Sequence, residues 1–292
     1  MKTEFQQKVT FYLTNKTLNM KHLFLICLAI SSLGFSQDYA IMSYNVKLDY
    51  PQEGDNSWTN RKPFFINQLK FYEPDVLGVQ EAMPNQMKDM DSLLVDYSYV
   101  GVGRDDGKNE GEFSAIFYKK DTFNFLKSDT FWLSDTPNEV SMGWDAVCNR
   151  VCTYALLEDK KSGNVFWVFN THFDHVGKEA KKNSAALIME KIEELNTQNY
   201  PVILTGDFNM EVNHDNLRPI KKTLQDSKAI AELTFGPEGT FNGFQFDKPV
   251  TRRIDFAFVS SEITVTKYAV LSDNWNLQYP SDHLPVYVEI RL

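Results

Sequence analysis

Val202-Ile203-Leu204-Thr205-Gly206-Asp207-Phe208-Asn209 runs from apolar, β-branched residues straight into a polar turn. The apolar half reads as a buried strand, and Gly206 permits a tight turn behind it. Taken alone, Asp207 and Asn209 would be an ordinary Asx turn. The same pattern recurs along the chain. Residues 75–80 form an apolar strand run that stops at Glu81, and the run 165–170 leads to His172. Asn45 and Asp255 lie within or near the ends of two further strand runs. A polar residue that interrupts an apolar strand is costly unless it is paired or liganded. Strand-end loops are also where α/β proteins build their sites.

Strand and helix signals alternate on both sides of this stretch, without an internal repeat, low-complexity tract or linker. Strands are expected at 39–46, 75–80, 113–119, 147–157, 165–170, 201–205, 254–260, 263–271 and 285–290. Trp58, Arg61, Phe65 and Leu69 share helical spacing within 58–71. A helix over 84–94 opens on Pro84, where the missing N–H costs little. The clearest helix is 177–196, whose Ala180, Leu187, Ile188, Ile192 and Leu195 form one apolar stripe. The reading is a single α/β domain.

The 292 residues are 42% hydrophobic and 14% aromatic, which supports a sizeable core. Met20-Lys21-His22, the apolar run 23–30 and then Ser31, Ser32, Gly34 and Ser36 follow the order of a secretory signal peptide. The run is shorter than the roughly 20 residues that span a bilayer, so no stable membrane anchor is expected. The chain therefore divides into a signal peptide over 1–36, with 1–19 readable as a spurious upstream start, and a domain over 37–292. Bulky Ile26 argues against lipidation of Cys27. An exported monomer in the periplasm or outside the cell is expected.

Residues 1–36 hold four lysines and one glutamate, so the formal charge of −9 becomes −12 from Gln37 onward. Binding long nucleic acids without sequence preference relies on basic stripes that neutralise phosphates. Only Lys181-Lys182, Lys221-Lys222 and Arg252-Arg253 approach this, and such pairs ordinarily decorate a solvated face. A compact phosphoester suits this charge better than a long duplex. Cys148 and Cys152, if both lie on a strand over 147–157, are about 13 Å apart, beyond the roughly 7 Å Cα limit for bridging. Two free thiols are expected unless a bulge intervenes.

Six short motifs follow one another along the chain: Ser43-Tyr44-Asn45-Val46, Gln80-Glu81, Asn170-Thr171-His172, Gly206-Asp207-Phe208-Asn209, Arg253-Ile254-Asp255 and Ser281-Asp282-His283. In this order they resemble the endonuclease/exonuclease/phosphatase (DNase I-like) superfamily, over 39–292. Gly101-Val102-Gly103-Arg104-Asp105-Asp106-Gly107, Phe131-Trp132-Leu133-Ser134 and Gly143-Trp144-Asp145 resemble its exported bacterial branch. The resemblance implies an α/β four-layer sandwich of two mostly antiparallel β-sheets flanked by helices. It also implies a metal-dependent phosphoric ester hydrolase using one or two Mg²⁺ or Mn²⁺ ions. Abasic-site endonucleases of the superfamily carry an acid shortly after the first Asn, whereas here the region holds Lys47, against a DNA-repair role.

On this resemblance Asn45, Glu81 and Asp282 sit at the metal, and oxygen ligands of this kind suit hard cations. His172, Asp207, Asn209, Asp255 and His283 are the catalytic residues. Asp207 and Asn209 orient the water and steady the phosphoryl oxygens, His283 is the base, Asp255 holds its imidazole, and His172 contacts the phosphate. The plain alternatives are a helix-terminal acid for Glu81, an Asx turn for Asp207 and Asn209, and an ion pair with Arg252 or Arg253 for Asp255. His175 and His214 read as structural or surface residues. Arg104 and Arg150 would grip a phosphate or pair internally with Asp105, Glu112 or Asp145, and Trp144 would line the substrate pocket or belong to the core. The leading expectation is an exported phosphodiesterase or phosphatase acting on a small or membrane-derived phosphoester. A secreted nuclease and a catalytically silent binding module of the same fold compete with it.

Overall fold

The computed structural model describes residues 37–292, so the expected signal peptide lies outside the described residues. In chain order the principal elements are β1 (Asp38–Asn45), α1 (Trp58–Tyr72), β2 (Val76–Gln80), α2 (Pro84–Leu93), β3 (Tyr97–Val100), β4 (Ile116–Lys119), β5 (Phe123–Trp132), β6 (Val151–Asp159), β7 (Val165–His172), α3 (Lys178–Leu195) and β8 (Val202–Asp207). Short α4 (Arg218–Thr223), β9 (Gln225–Asp226), α5 (Ser227–Ile230) and β10 (Leu233–Phe235) precede β11 (Asp255–Val259), β12 (Thr264–Val270) and β13 (Val286–Arg291).

Among the described residues the strands form two sheets, ordered β10-β12-β13-β1-β2-β4-β3 and β5-β6-β7-β8-β11-β9. The pairs β1–β2, β10–β12 and β7–β8 are parallel and the others antiparallel, so both sheets are mixed and mostly antiparallel. Three apolar clusters separate four layers. Met42, Tyr44, Leu77 and Val79 pack on Trp58, Phe65, Leu69, Met87 and Met90 of α1 and α2. Ile41, Val76, Phe166, Val168, Ile203 and Ala257 meet between the sheets. Trp167, Phe169, Leu204 and Phe256 pack on Ile188 and Ile192 of α3. Burying each of these large side chains contributes about 1.5–3 kcal/mol, which makes the alternation of strand faces decisive. The sandwich is the one anticipated.

The inward-facing positions of the central strands change character along their length. Ile41 gives way to Ser43 and Asn45, Val76 to Gly78 and Gln80, Val168 to Asn170 and His172, and Ile203 to Thr205 and Asp207. One end of the space between the sheets is therefore apolar and the other polar. Asn170 seams that polar end. Its Nδ2 donates to the carbonyls of Val79 (2.8 Å) and Ala115 (2.9 Å), and its Oδ1 accepts from Gln80 Nε2 (2.7 Å) and Thr205 Oγ1 (3.0 Å). Gly78 makes room for this, since a Cβ there would lie 2.6 Å from Asn170 Oδ1.

Three expectations are corrected. Residues 147–150 are not strand, because β6 begins at Val151 and the Val147 N–H is taken by Asp174 Oδ2 at 3.2 Å. The strand-spacing argument for the cysteines therefore fails, although both are free thiols. Strands β3 and β5 were unanticipated. β5 is an edge strand whose middle is mostly exposed, which removes the hydrophobic alternation that identifies strands.

Candidate active site

The polar end of the sandwich gathers residues from both sheets. Asn45 ends β1, and Glu81 follows β2 directly, with a left-handed φ of 63°. Non-glycine residues rarely hold that conformation, and it persists where surrounding structure over-determines it. His172 and Asp207 end β7 and β8, Asp255 begins β11, and Asp282 and His283 lie in the loop before β13. Asn209, at φ 49°, follows β8.

Asn45 is fully buried and bridges two carboxylates, with Nδ2 2.9 Å from Glu81 Oε1 and 3.0 Å from Asp207 Oδ2. The Asn45 Oδ1 accepts the Lys47 N–H. His283 Nδ1 lies 2.8 Å from Asp255 Oδ2, and its Nε2 lies 3.7 Å from Asp207 Oδ2. Phe241 packs edge-on against the imidazole, with ring centroids 5.0 Å apart. His172 Nε2 is 3.5 Å from Asp207 Oδ2 and 3.1 Å from Asn209 Nδ2. The backbone N–H of Asn209 donates to Asp207 Oδ1, which aims that carboxylate.

The electrostatics follow from burial and crowding. Burial pushes the Asp207 carboxyl up to about 7, helped by Asp255 and opposed by His283. Burial alone would lower His283, but Asp255 and Asp207 overcome it and raise the imidazole to about 10. Burial also raises Glu81, yet His283, the Asn45 amide and Lys47 together bring it below its ordinary value. Asp282 is raised, chiefly by burial. His172 is driven well down by burial and then by Arg150 and Arg104, so it is a neutral imidazole.

Ligand atoms of Glu81, Asp207 and His283 all lie within 4.8 Å of one another. Among the described residues, Oδ1 of buried Asp255 and Oδ1 of buried Asp282 have no hydrogen-bond partner. Crowded carboxylates with unpartnered oxygens fit a hard divalent cation. Of the expected metal residues Glu81 belongs to this set; Asn45 turns N–H groups toward the carboxylates, and Asp282 faces Lys47 Nζ through Oδ2 at 3.5 Å while its Oδ1 stays open.

The remaining expectations divide. Asp255 pairs with His283 rather than with an arginine, and Arg253 instead clamps Asp226. Arg104 binds Glu112 at 2.6 Å, one of the internal partners anticipated. Arg150 faces Asp174 Oδ2 at 3.5 Å, a partner not anticipated. Trp144 donates to Asp135 (2.9 Å) and lines a depression against Asn183 and Leu187 of α3, away from the cluster. Its indole N–H is thus engaged by Asp135 on the outer face of the second sheet. His175 and His214 are exposed, as expected. Sequence reasoning missed Arg61, whose guanidinium donates to the carbonyls of Asn56, Val46, Lys47 and Pro280 and so ties the loop after β1 to the loop carrying Asp282. Its helical spacing had marked it only as part of the α1 core face.

The endonuclease/exonuclease/phosphatase family model matches residues 42–283, from β1 to the site histidine. The chain belongs to that family. A family member of known structure from Bacteroides thetaiotaomicron is 38% identical, with TM-score 0.86 over 88% of this chain and 98% of its own. A mannosyl-6-phosphatase from Bacteroides thetaiotaomicron VPI-5482 is 39% identical, with TM-score 0.84 over 86% of this chain and 99% of its own. Among curated sequences, the exoribonuclease subunit Ccr4 of the CCR4-Not complex from Mycosarcoma maydis is 24% identical over 190 residues, 54% of this chain and 28% of that protein. The chain spans between 28% and 60% of the lengths of the first three curated relatives it matches. The two Bacteroides structures share the two-sheet, helix-flanked fold of the family.

Proposed function

We propose that this family member is an exported, divalent-cation-dependent phosphoester hydrolase that acts as a monomer on a small phosphoester. The observation that carries the reading is the convergence of Glu81, Asp207 and His283 within 4.8 Å, with His283 held by Asp255. A bound Mg²⁺ or Mn²⁺ would be held by Glu81 and Asp207, neutralising their charge, polarising a phosphoryl oxygen and lowering the His283 pKa. The order of residues 20–36 supports export, and the charge of −12 beyond them supports a compact substrate.

The residues divide the work as follows. Asp207, aimed by the Asn209 N–H, orients a water and takes its proton. The water oxygen forms a bond to phosphorus as the ester P–O bond breaks, and the departing oxygen takes up a proton. The neutral His172, whose Nδ1 is without a partner among the described residues, presents a donor to the developing negative charge. Without a cation His283 carries a proton, so it stabilises charge; with its pKa lowered it joins Asp207 as acceptor.

Metal-depleted protein, resupplied with Mg²⁺, Mn²⁺ or Ca²⁺, should hydrolyse a generic phosphoester only with cation, and Glu81→Gln and Asp207→Asn should abolish the turnover. A wild type inactive with all three cations overturns the reading. The nuclease reading draws on the exoribonuclease relative; preferential cleavage of single-stranded RNA over small esters would establish it.

A further inference from the structure

Beside the carboxylate cluster stands a second group of charged side chains, in which several arginine donors are without a partner among the described residues. Arg150 is 5% exposed and ends the loop before β6. Its Nη2 lies 3.1 Å from His175 Nδ1, and its Nε faces Asp174 Oδ2 at 3.5 Å. Yet neither Nε nor Nη1 has a hydrogen-bond partner among the described residues, nor have Arg104 Nε and His172 Nδ1. The Asp174 carboxylate is largely spent elsewhere, accepting the N–H groups of Val147, Val176 and Gly177. Buried guanidinium donors without acceptors are rare, because each forfeits its hydration.

These donors are close to the chemistry. Arg104 Nη1 holds Glu112 Oε2 at 2.6 Å, the same oxygen lies 3.9 Å from His172 Nδ1, and His172 Nε2 is 3.5 Å from Asp207 Oδ2. Arg150 and Arg104 both depress the His172 pKa, and both act on Glu112 together with Glu81. Two guanidinium groups thus lie on the His172 side of the cluster with Glu112, Asp105 and Asp174 as acidic neighbours, and of these only Glu112 makes a close hydrogen bond to them.

We infer that Arg104, Arg150 and His172 form an anion subsite for the terminal oxygens of a phosphate monoester. This rests on the hydrolase reading and names its substrate class. A monoester phosphate carries up to two negative charges and three terminal oxygens, whereas a diester carries one charge and two. The carboxylate cluster with its cation has use for a single phosphoryl oxygen. The unpartnered, forked arginine donors match the further oxygens and charge that only a monoester supplies.

The test compares p-nitrophenyl phosphate with bis-p-nitrophenyl phosphate under saturating Mg²⁺ or Mn²⁺. Wild type should favour the monoester in kcat/KM, and Arg150→Gln should lower the monoester value about 10- to 100-fold more than the diester value, the scale of a charged hydrogen bond. Arg150→Lys should recover part of the difference. Equal losses on both esters, or a wild type that prefers the diester, overturn the subsite. A wild type that cleaves neither ester instead overturns the hydrolase reading. If the Arg150 variants fail to fold, inhibition of wild type decides: inorganic phosphate should compete at least tenfold more tightly than dimethyl phosphate, and parity overturns the subsite.

Discussion

Asp255 Oδ2 sits 2.8 Å from His283 Nδ1, with both side chains almost fully buried. The carboxylate fixes which nitrogen of the ring faces Asp207 and favours the imidazolium. Asp255→Asn keeps the shape but not the charge. Its kcat should fall by about 10²- to 10⁴-fold, the usual scale for losing positioned acid–base chemistry. KM should change far less, and steady-state kinetics would show which parameter moves.

The raised values of Asp207 and His283 give stability a pH dependence of definite sign. Both groups bind protons more tightly in the folded chain than in the unfolded one. Their contributions are therefore complete below the unfolded values, near 3.8 for Asp207 and 6.5 for His283. They are lost as pH rises through about 7 and about 10. Cation-free protein should melt at progressively lower temperature from pH 6 to 9. Added Mn²⁺ should raise the melting temperature more at pH 8 than at pH 5.5, since it must displace protons from the same groups. Glu81→Gln should erase most of that shift, and a pH-independent shift would count against this site.

Arg61 satisfies four backbone carbonyls from inside the protein. Arg61→Met keeps much of the apolar stem but strands those acceptors and loosens both loops beside Asn45 and Asp282. A destabilisation of about 3–5 kcal/mol is expected, as for breaking other buried charged networks, with activity falling in the fraction that stays folded. Urea unfolding would measure it.

Gly78 is the gap into which Asn170 reaches from the opposite sheet. Gly78→Ala should cost about 1–3 kcal/mol through overpacking, despite adding only a methyl group to a strand. Thermal melts would detect it, and a neutral result would show that the Asn170 seam can shift aside.

The central strands were legible because each joins an apolar run to a conspicuous polar residue: Val202 to Leu204 before Asp207, Val76 to Val79 before Gln80 and Glu81. The α3 stripe was legible for the same reason, a long and regular apolar pattern. What could not be read depends on partners distant in sequence. Asp145 accepts the N–H groups of Lys178, Glu179 and Ala180, so the start of α3 is capped from more than 30 residues upstream. Asp174 takes the Val147 N–H, and residues 147–150 stay outside the sheet although they lead straight into β6. Trp144 looked available for substrate until Asp135 claimed its indole N–H. At the site, residue types announced the chemistry, while the inward turn of Asn45's N–H groups is a matter of rotamer and neighbours.

Glu81 follows a strand of one sheet, and Asp207 ends a strand of the other. A divalent ion held by both carboxylates would act as a further clasp between layers that already meet through greasy contacts, the Asn170 seam and the Asn45–Asp207 and His283–Asp255 contacts. Neither sheet owns the reaction, so a fragment retaining only one could fold locally and still be inert. Small slippage of the layers should silence the enzyme well before its secondary structure melts.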